Sequence, residues 1–423
     1  MLLSRTFKDI LCATSHPTLA WCDESGAVTE VLSGPNIWAL AFERARELKK
    51  AGARPGNRIT SSPQGKEFIV DLFAAMIGHF VLVPDDLSPR GITLTPNSQM
   101  LFHKGVFLEM KTSGSSGEPK TRYYTQEGIK QQLKTHANYF LSPVETERLA
   151  LLPWGHAFGL VLDLLLGIYS KSVIFCPTED KLRGSRKWIT SMLNTHPIHH
   201  MALVPRQLEL ILFNGRLSPR APEVVFVGGA SLTQSLIQRS RTWLGNGQLI
   251  EGYGLTEAGP GVLLNGRPIG CEIKIKDGIL FVRSSSWSLS ETLEESPEWN
   301  STEDLCLENE SGSLNVTCRA SHRIKSCSGT WVNLSSIESQ IALSVNARTV
   351  TLKPCPQGLK VFLLLEEALS EEKKYLIRER LLQSTGLASE LFAIVVDQST
   401  ENLLEQSRGK DLSYFFENQR LVS

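Results

Sequence analysis

Residues 112–120 read Thr112-Ser113-Gly114-Ser115-Ser116-Gly117-Glu118-Pro119-Lys120, directly behind an apolar, strand-like run from Val106 to Met110. These are residue types that can hold a polyphosphate. Glycine lets the backbone approach a ligand closely. Four hydroxyls, several free N–H groups and the Lys120 ammonium can share out the phosphate oxygens. Glu118-Pro119 stiffens the exit and presents Lys120 as a point charge. The spacing is not that of a Walker loop, because the lysine stands behind a proline, three residues after Gly117. A Ser/Gly linker has the same composition. It leaves unexplained the strand before, the Pro-Lys exit and the amphipathic run Thr125 to Phe140.

The loop needs elements to position it, and the chain has them. Apolar Trp38, Leu40, Ala41 and Ala45 recur at helical spacing over 36–53, opposite a charged face, and Gly52 and Pro55-Gly56 end that helix. Ile69 to Ile77 reads as a second helix and Phe80 to Pro84 as a buried strand. After the loop the pattern predicts a helix over 125–140. Strands follow at Ala150–Pro153 and Val173–Phe175 around a helix at 158–170, then a strand at Val224–Val227 ending in Gly228-Gly229, and a helix over 232–244. Alternating helices and apolar strands imply a layered α/β architecture. Short alternating strands from Gly270 to Val282 imply a β-subdomain, and the Ser/Glu-rich stretch 284–303 a surface excursion. Beyond about residue 320 a further 100 or so residues read as a small α+β domain. The expected organisation is a large N-terminal domain, 1–320, of layered α/β subdomains plus the β-subdomain, and a small mobile C-terminal domain, 321–423.

The bulk numbers narrow the function. The chain has 423 residues, 41% of them hydrophobic, with 44 basic against 44 acidic residues. A zero net charge argues against nucleic acid or an anionic membrane surface as partner. The eight cysteines include no C-x-x-C pair, so reduced thiols in a cytoplasmic protein are expected rather than a zinc site or a disulfide framework. Arg5, Lys8 and Asp9 interrupt the N-terminal segment, and no signal peptide is expected. The most apolar stretch, Leu149 to Phe175, contains Asp163. Placing that carboxylate at a bilayer centre costs about 2.5–3.5 kcal/mol on insertion scales, so a buried helix and strand are expected, not a membrane span.

Several segments together resemble the adenylate-forming superfamily, which contains acyl-CoA synthetases, adenylation domains and luciferases. TSGSSGEPK (112–120) is similar to its phosphate loop, LLPWGHAFGL (151–160) to its Pro-x-x-His-x-Phe/Tyr-Gly segment, and VVFVGGASLT (224–233) to its Gly-Gly-Ala turn. GYGLTEAG (252–259) closely resembles its Tyr-Gly-x-Thr-Glu signature. Thr302-Glu303-Asp304-Leu305 stands where the family has Thr-Gly-Asp-Leu, and 318–339 looks like its hinge and the first strands of its small domain. SRGK (407–410) is similar to its terminal Gly-Lys motif. The order and approximate spacing agree from about residue 38 to 415. The stretch between Pro84 and the loop is shorter than the family's.

The resemblance implies two half-reactions. A carboxylate attacks the α-phosphate of ATP to give an acyl-adenylate and pyrophosphate, and a thiol then displaces AMP. It implies Lys410 as the cation that meets both anions, Thr256 as a hydrogen-bond donor to the α-phosphate, and Glu257 as the Mg²⁺ ligand. Thr112 to Gly117 and Lys120 would hold phosphate. Gly228, Gly229, Ala230, Tyr253 and Gly254 would border the adenine, while Asp304 and Arg319 would take the ribose. Trp154, His156, Phe158 and Phe226 would line an acyl pocket suited to an aryl or a medium-to-long aliphatic acid. Ser321 would be the hinge. Gly329 and Trp331 would flank the tunnel of a pantetheine arm, with coenzyme A as the expected co-substrate. Ser321 stands where the family usually has Asp or Lys. Two alternatives stay open: a ligase that loads an acyl carrier protein in trans, and a catalytically inactive adenylate-binding homologue.

Overall fold

The computed structural model describes residues 3–13, 17–93, 98–111, 120–140, 146–212, 220–290, 292–293, 298–356, 358–365 and 367–395. The expected phosphate loop, Thr112 to Gly117, and the expected cation, Lys410, lie outside the described residues.

The chain divides into two units. The first runs to Thr302 and adds Leu307–Val316; the second takes Glu303–Cys306 and the residues from Thr317 onward. The first is a layered α/β structure. Its large sheet has nine strands in the order Arg267–Pro268, Gly259–Leu264, Gln248–Leu255, Val224–Gly228, His200–Leu203, Glu147–Ala150, Val173–Pro177, Pro17–Cys22 and Val28–Ser33. The five from Gln248–Leu255 to Val173–Pro177 run parallel, and Pro17–Cys22 joins them in parallel. Strands of this kind are covered on both faces and therefore read as unbroken apolar runs, as VVFV and VIFC do. A second sheet has five strands in the order Gly91–Thr93, Arg58–Ser61, Val81–Pro84, Val106–Lys111 and Thr121–Thr125. Its last two strands are antiparallel and flank the Gly/Ser loop.

The helices follow the apolar periodicity closely. The expected helix over 36–53 spans Gly34–Lys50, because the Ser33 side chain caps it by accepting from the Asn36 N–H. The next helix spans Gly65–Gly78 and packs against the first. Asp71, 1% exposed, ties the pair together: its carboxylate accepts from Arg44 Nε at 2.9 Å and from Arg90 Nε at 2.7 Å and Nη2 at 2.9 Å. A buried carboxylate persists only with such partners. The helix Leu3–Ala13, with Leu3, Phe7 and Leu11 at helical spacing, and the hairpin Pro17–Ser33 are further elements beyond those expected. They bury Phe7, Leu11, Leu19 and Trp21 in the same core.

The segment expected as a helix over 158–170 is a π-helical stretch, Phe158–Leu165, followed by a short α-turn, Leu166–Tyr169. The wide turn sends Phe158 and Leu162 to one side while Asp163 is buried on the other. The expected strand Ala150–Pro153 lies three residues earlier, at Glu147–Ala150. The 284–303 stretch is more than a surface excursion: Ser288, Leu289 and Leu293 are buried, and Leu289 exchanges both backbone hydrogen bonds with Tyr123, at 3.0 and 2.9 Å.

A four-stranded sheet follows in the order Glu272–Lys276, Ile279–Arg283, Asn300–Glu308 and Leu314–Arg319, and the boundary between the units passes through its last two strands. The second unit is α+β. Its sheet has the order Ala347–Cys355, Gly358–Leu365 and Ser389–Val395, and the helices Leu334–Val345 and Glu371–Thr385 bury Ile337, Ile341, Ile377 and Leu381 in its own core. Among the described residues no helix is long and apolar enough to cross a membrane.

Asp163 makes a pH test possible. Burial raises its carboxyl to about pKa 7, although Arg148 and Arg183 pull the other way. Between the ordinary carboxylate range and about pH 7 the folded chain therefore holds a proton that the unfolded chain has lost, and stability from this group is lost as pH rises through that window. His200, lowered to about 3 mainly by burial, acts in the opposite sense below the usual imidazole range. Asp163→Asn removes the first effect and keeps the second. The Tm of the wild type minus that of the variant should fall between about pH 5 and pH 8 in calorimetric scans. A difference that does not change with pH would show that Asp163 is ionised throughout in the folded chain.

Candidate active site

A cavity of about 180 Å³ opens in the first unit, beyond the carboxyl ends of Val106–Lys111, Val224–Gly228 and Gln248–Leu255. Ligands of open α/β sheets bind at such ends, where the next turn leaves backbone groups free. One side is rich in glycine: Gly228-Gly229 and the run Gly252 to Thr256, with Gly252 and Gly254. The other is apolar, with Phe158, Leu162, Phe226 and Met110, and the exposed His156 and Lys111 stand at its edge. The rings of Phe158 and Phe226 meet edge to face, 5.0 Å apart at 74°.

The cavity depends on missing side chains. A Cβ on Gly252 would collide with the Phe226 ring, and one on Gly254 would strike the backbone of Gly261. Gly261 has φ +94° and lies against the buried His136, whose Nδ1 is 2.8 Å from the Gln132 carbonyl oxygen. The Gln132 Nε2 group donates to the Pro260 carbonyl. Burial, the dominant effect, lowers the His136 pKa, so the imidazole is neutral.

The strand pair that flanks the Gly/Ser loop is braced from below. The Glu109 carboxylate accepts from Arg58 Nε at 2.5 Å, and Arg58 Nη2 donates to the Tyr123 hydroxyl at 2.7 Å. Tyr124, 1% exposed, donates its hydroxyl to the Thr256 carbonyl, and the Ser288 N–H donates to the Glu257 carbonyl at 2.7 Å. Burial, followed by the nearby Glu257 charge, raises the Tyr124 phenol, so it stays a donor. Thr256 and Glu257 are thus clamped through their backbone. The Glu257 carboxylate faces Arg122 Nη2 at 3.5 Å. Neither Tyr124, Arg122 nor Ser288 stands out in the sequence. An arginine two residues past Lys120 and a tyrosine two further on are the signals that could have found the first two.

Behind Phe226 and Leu162 lies a second cavity, of about 10 Å³, lined by Arg148, Asp163 and His200. Arg148 donates Nε to the Ser172 hydroxyl at 3.1 Å. Arg148 Nη2 and Asp163 Oδ2 are buried without a hydrogen-bond partner among the described residues. Burial lowers the Arg148 pKa to about 10.

Of the expected residues, His156, Phe158, Phe226, Gly228, Gly229, Tyr253, Gly254 and Thr256 line the larger cavity. Trp154 does not. It is fully buried, stacked at 6.1 Å and 18° on Phe68, with the Arg183 guanidinium 5.2 Å over its ring. The expectation of Trp154 as a pocket wall is corrected: the turn at 151–155 directs the indole into the core while His156 stays outside. Ala230 is exposed just beyond the strand, and Lys120 is exposed where the described chain resumes.

In the second unit, Arg319 Nε is 3.0 Å from Asp304 Oδ1, and Arg319 Nη1 is 3.6 Å from Glu303 Oε2. Glu303 takes the left-handed φ +61°, which explains how a side chain is accommodated where glycine is the easier choice. Ser321 lies in the 3-10 turn Ala320–His322. Gly329 has φ +82° in an exposed turn. Trp331 is 52% exposed, with Arg323 at 4.4 Å and Lys325 at 5.4 Å from its ring.

The sequence profile described as "AMP-binding enzyme" matches residues 106–278. The chain is 30% identical over 158 residues to the 2-succinylbenzoate–CoA ligase of Staphylococcus epidermidis, covering 35% of this chain and 30% of that protein. It is 26% identical over 236 residues to the acyl-CoA ligase cnsG of Penicillium expansum, covering 53% and 44%. The matches thus span less than half the length of these relatives. Among solved structures, the O-succinylbenzoate coenzyme A synthetase of Bacillus subtilis in complex with AMP superposes with a TM-score of 0.76 at 17% identity, covering 96% of this chain and 98% of that one. The same enzyme with ATP and magnesium ion gives 0.73 at 16%, covering 92% and 95%. At these identities the superpositions establish the fold. Residues 106–278, which carry the larger cavity's strands, are the part of the chain that matches the AMP-binding enzyme profile.

Proposed function

We propose that the protein activates a carboxylic acid with ATP and passes the acyl group to a thiol, with coenzyme A as the acceptor. The observation that carries this reading is the larger cavity. It sets a glycine-rich side, Gly228-Gly229 and Gly252 to Thr256, against an apolar side of Phe158, Leu162 and Phe226. The first suits a nucleotide and the second an acyl group, so the two reactants would meet between them.

In the first step a carboxylate oxygen forms a bond to the α-phosphorus and the bond to pyrophosphate breaks. Two anions must approach, so the protein has to supply charge and orientation. Thr256, its carbonyl fixed by Tyr124, would offer its hydroxyl to the α-phosphate. Lys410 would meet both anions, and the paired Asp304 would accept the ribose hydroxyls. Magnesium fits the residues present. The Glu257 side chain is 26% exposed and offers a hard oxygen. Among the described residues no three His, Cys, Asp or Glu side chains converge as a ready-made metal cage. Phosphate oxygens and water would complete the coordination, which is how Mg²⁺ is commonly held beside a triphosphate. Bound there, the ion would neutralise phosphate charge. In the second step the thiol sulfur bonds to the acyl carbon and AMP leaves. Gly329 and Trp331 would border the thiol's path.

The apolar side of Phe158, Leu162 and Phe226 suits an aryl or a medium-to-long aliphatic acid.

Pyrophosphate release with a panel of carboxylic acids, run with and without coenzyme A, tests the reading. The wild type should release pyrophosphate with at least one aryl or aliphatic acid and form a thioester only when the thiol is added. Lys410→Ala should lower the rate by about 10²–10³, the loss seen when a preorganised charge is removed. An unchanged rate would remove Lys410 from the mechanism. Release without thioester formation would favour a carrier protein as acceptor, and no release with any acid would favour an inactive homologue. Gly252→Ala should push the Phe226 ring into the cavity and raise KM for ring-sized acids well above its effect on smaller ones. An equal effect on all acids would dissociate Phe226 from acyl recognition.

A further inference from the structure

Arg122 follows the Gly/Ser loop on the strand Thr121–Thr125, and nothing in the mechanism above uses it. Its side chain is 18% exposed and its Nη2 lies 3.5 Å from the Glu257 carboxylate, beyond the usual hydrogen-bond range of about 2.7–3.2 Å. Its Nε is buried with no hydrogen-bond partner among the described residues. A guanidinium carries five donors in a rigid fork. Donors left this poorly satisfied in a half-buried place are costly unless an anion completes them. The group is also well fixed. Its neighbour Tyr123 pairs with Leu289 on the backbone, and Tyr124 donates to the Thr256 carbonyl. Arg122 therefore stands beside Glu257, the residue that follows the cavity-lining Thr256.

We propose that Arg122 is a phosphate-contacting residue of the nucleotide site, binding the β- and γ-phosphates or released pyrophosphate from the side that Glu257 borders. The inference rests on the reading of the cavity as a nucleotide site and adds a residue to it. Arg122 and Glu257 would form a mixed-charge pair. Without nucleotide the carboxylate partly neutralises the guanidinium. With nucleotide the guanidinium turns its fork to phosphate oxygens, and the carboxylate is left for the metal ion. Arginine suits this because two parallel N–H groups match two phosphate oxygens, which a lysine ammonium cannot do.

The test is calorimetric titration of the full chain with ATP, pyrophosphate and AMP, with and without Mg²⁺, for the wild type, Arg122→Ala and Arg122→Lys. Melting curves would establish that each variant is folded. Arg122→Ala should weaken ATP and pyrophosphate binding by about 10- to 100-fold, as for loss of charged hydrogen bonds, and leave AMP within about threefold. Arg122→Lys, which keeps the charge and the stem but not the fork, should fall between. Equal ATP affinity in the wild type and both folded variants overturns the proposal, as does an AMP affinity that falls in parallel with that of ATP. A wild type that binds neither ATP nor AMP overturns the nucleotide reading itself, a separate result. If Arg122→Ala does not fold, the Arg122→Lys comparison decides alone: unchanged pyrophosphate affinity rejects the role of the fork.

Discussion

The site rests on one constraint: a bulky, highly charged ligand can approach a parallel sheet only where the sheet presents backbone instead of side chains. Gly252 and Gly254 meet that constraint on the strand Gln248–Leu255. Each is hemmed in by its neighbours, Phe226 and the Gly261 backbone, so no Cβ can be added without moving them. Close packing transmits the consequence, because Phe226, held against Gly252, is also the apolar wall of the cavity. The glycine-rich side and the apolar side of the cavity are thus two faces of one packing arrangement.

Fixed geometry must then carry charge. The protein does so by immobilising backbone from outside the cavity. Tyr124 holds the Thr256 carbonyl, Ser288 holds the Glu257 carbonyl, and Leu289 pairs with Tyr123. These contacts hold the main chain of Thr256 and Glu257 without using either side chain. The Arg58–Glu109–Tyr123 network ties the strands Arg58–Ser61, Val106–Lys111 and Thr121–Thr125 in the same way. Groups fixed in this manner need no reorganisation when charge develops beside them.

Arg148 and Asp163, buried behind Phe226 and Leu162, show what burial does to charge. Desolvation raises the acid and lowers the base, so each group is held away from its ordinary titration range. The π-helical turn that buries Asp163 is the same turn that delivers Phe158 and Leu162 to the cavity. The apolar side of the cavity and the buried Asp163 are therefore carried by one short element.

Much of this was legible in the residues alone. The α/β layering, the helices at 36–53 and 232–244, and the glycine turn after Val224–Val227 follow from local signals: apolar periodicity, glycine at strand ends and capping residues. The Gly252-to-Glu257 cluster is legible for the same reason, because its chemistry lies in consecutive residues. What was not legible depended on partners far along the chain. Nothing in LLPWGHAFGL distinguishes a tryptophan that faces a cavity from one that stacks on Phe68; a single turn decides it. Nothing in the Ser/Glu-rich stretch announces that Leu289 completes a pair with Tyr123. Arg122 and Glu257 lie 135 positions apart and meet only because two sheets converge. Local spacing can specify a turn or a helix face, since a few neighbouring dihedrals set it. Which distant side chains share a low-dielectric space is decided by the packing of whole layers, and only the tertiary structure contains that.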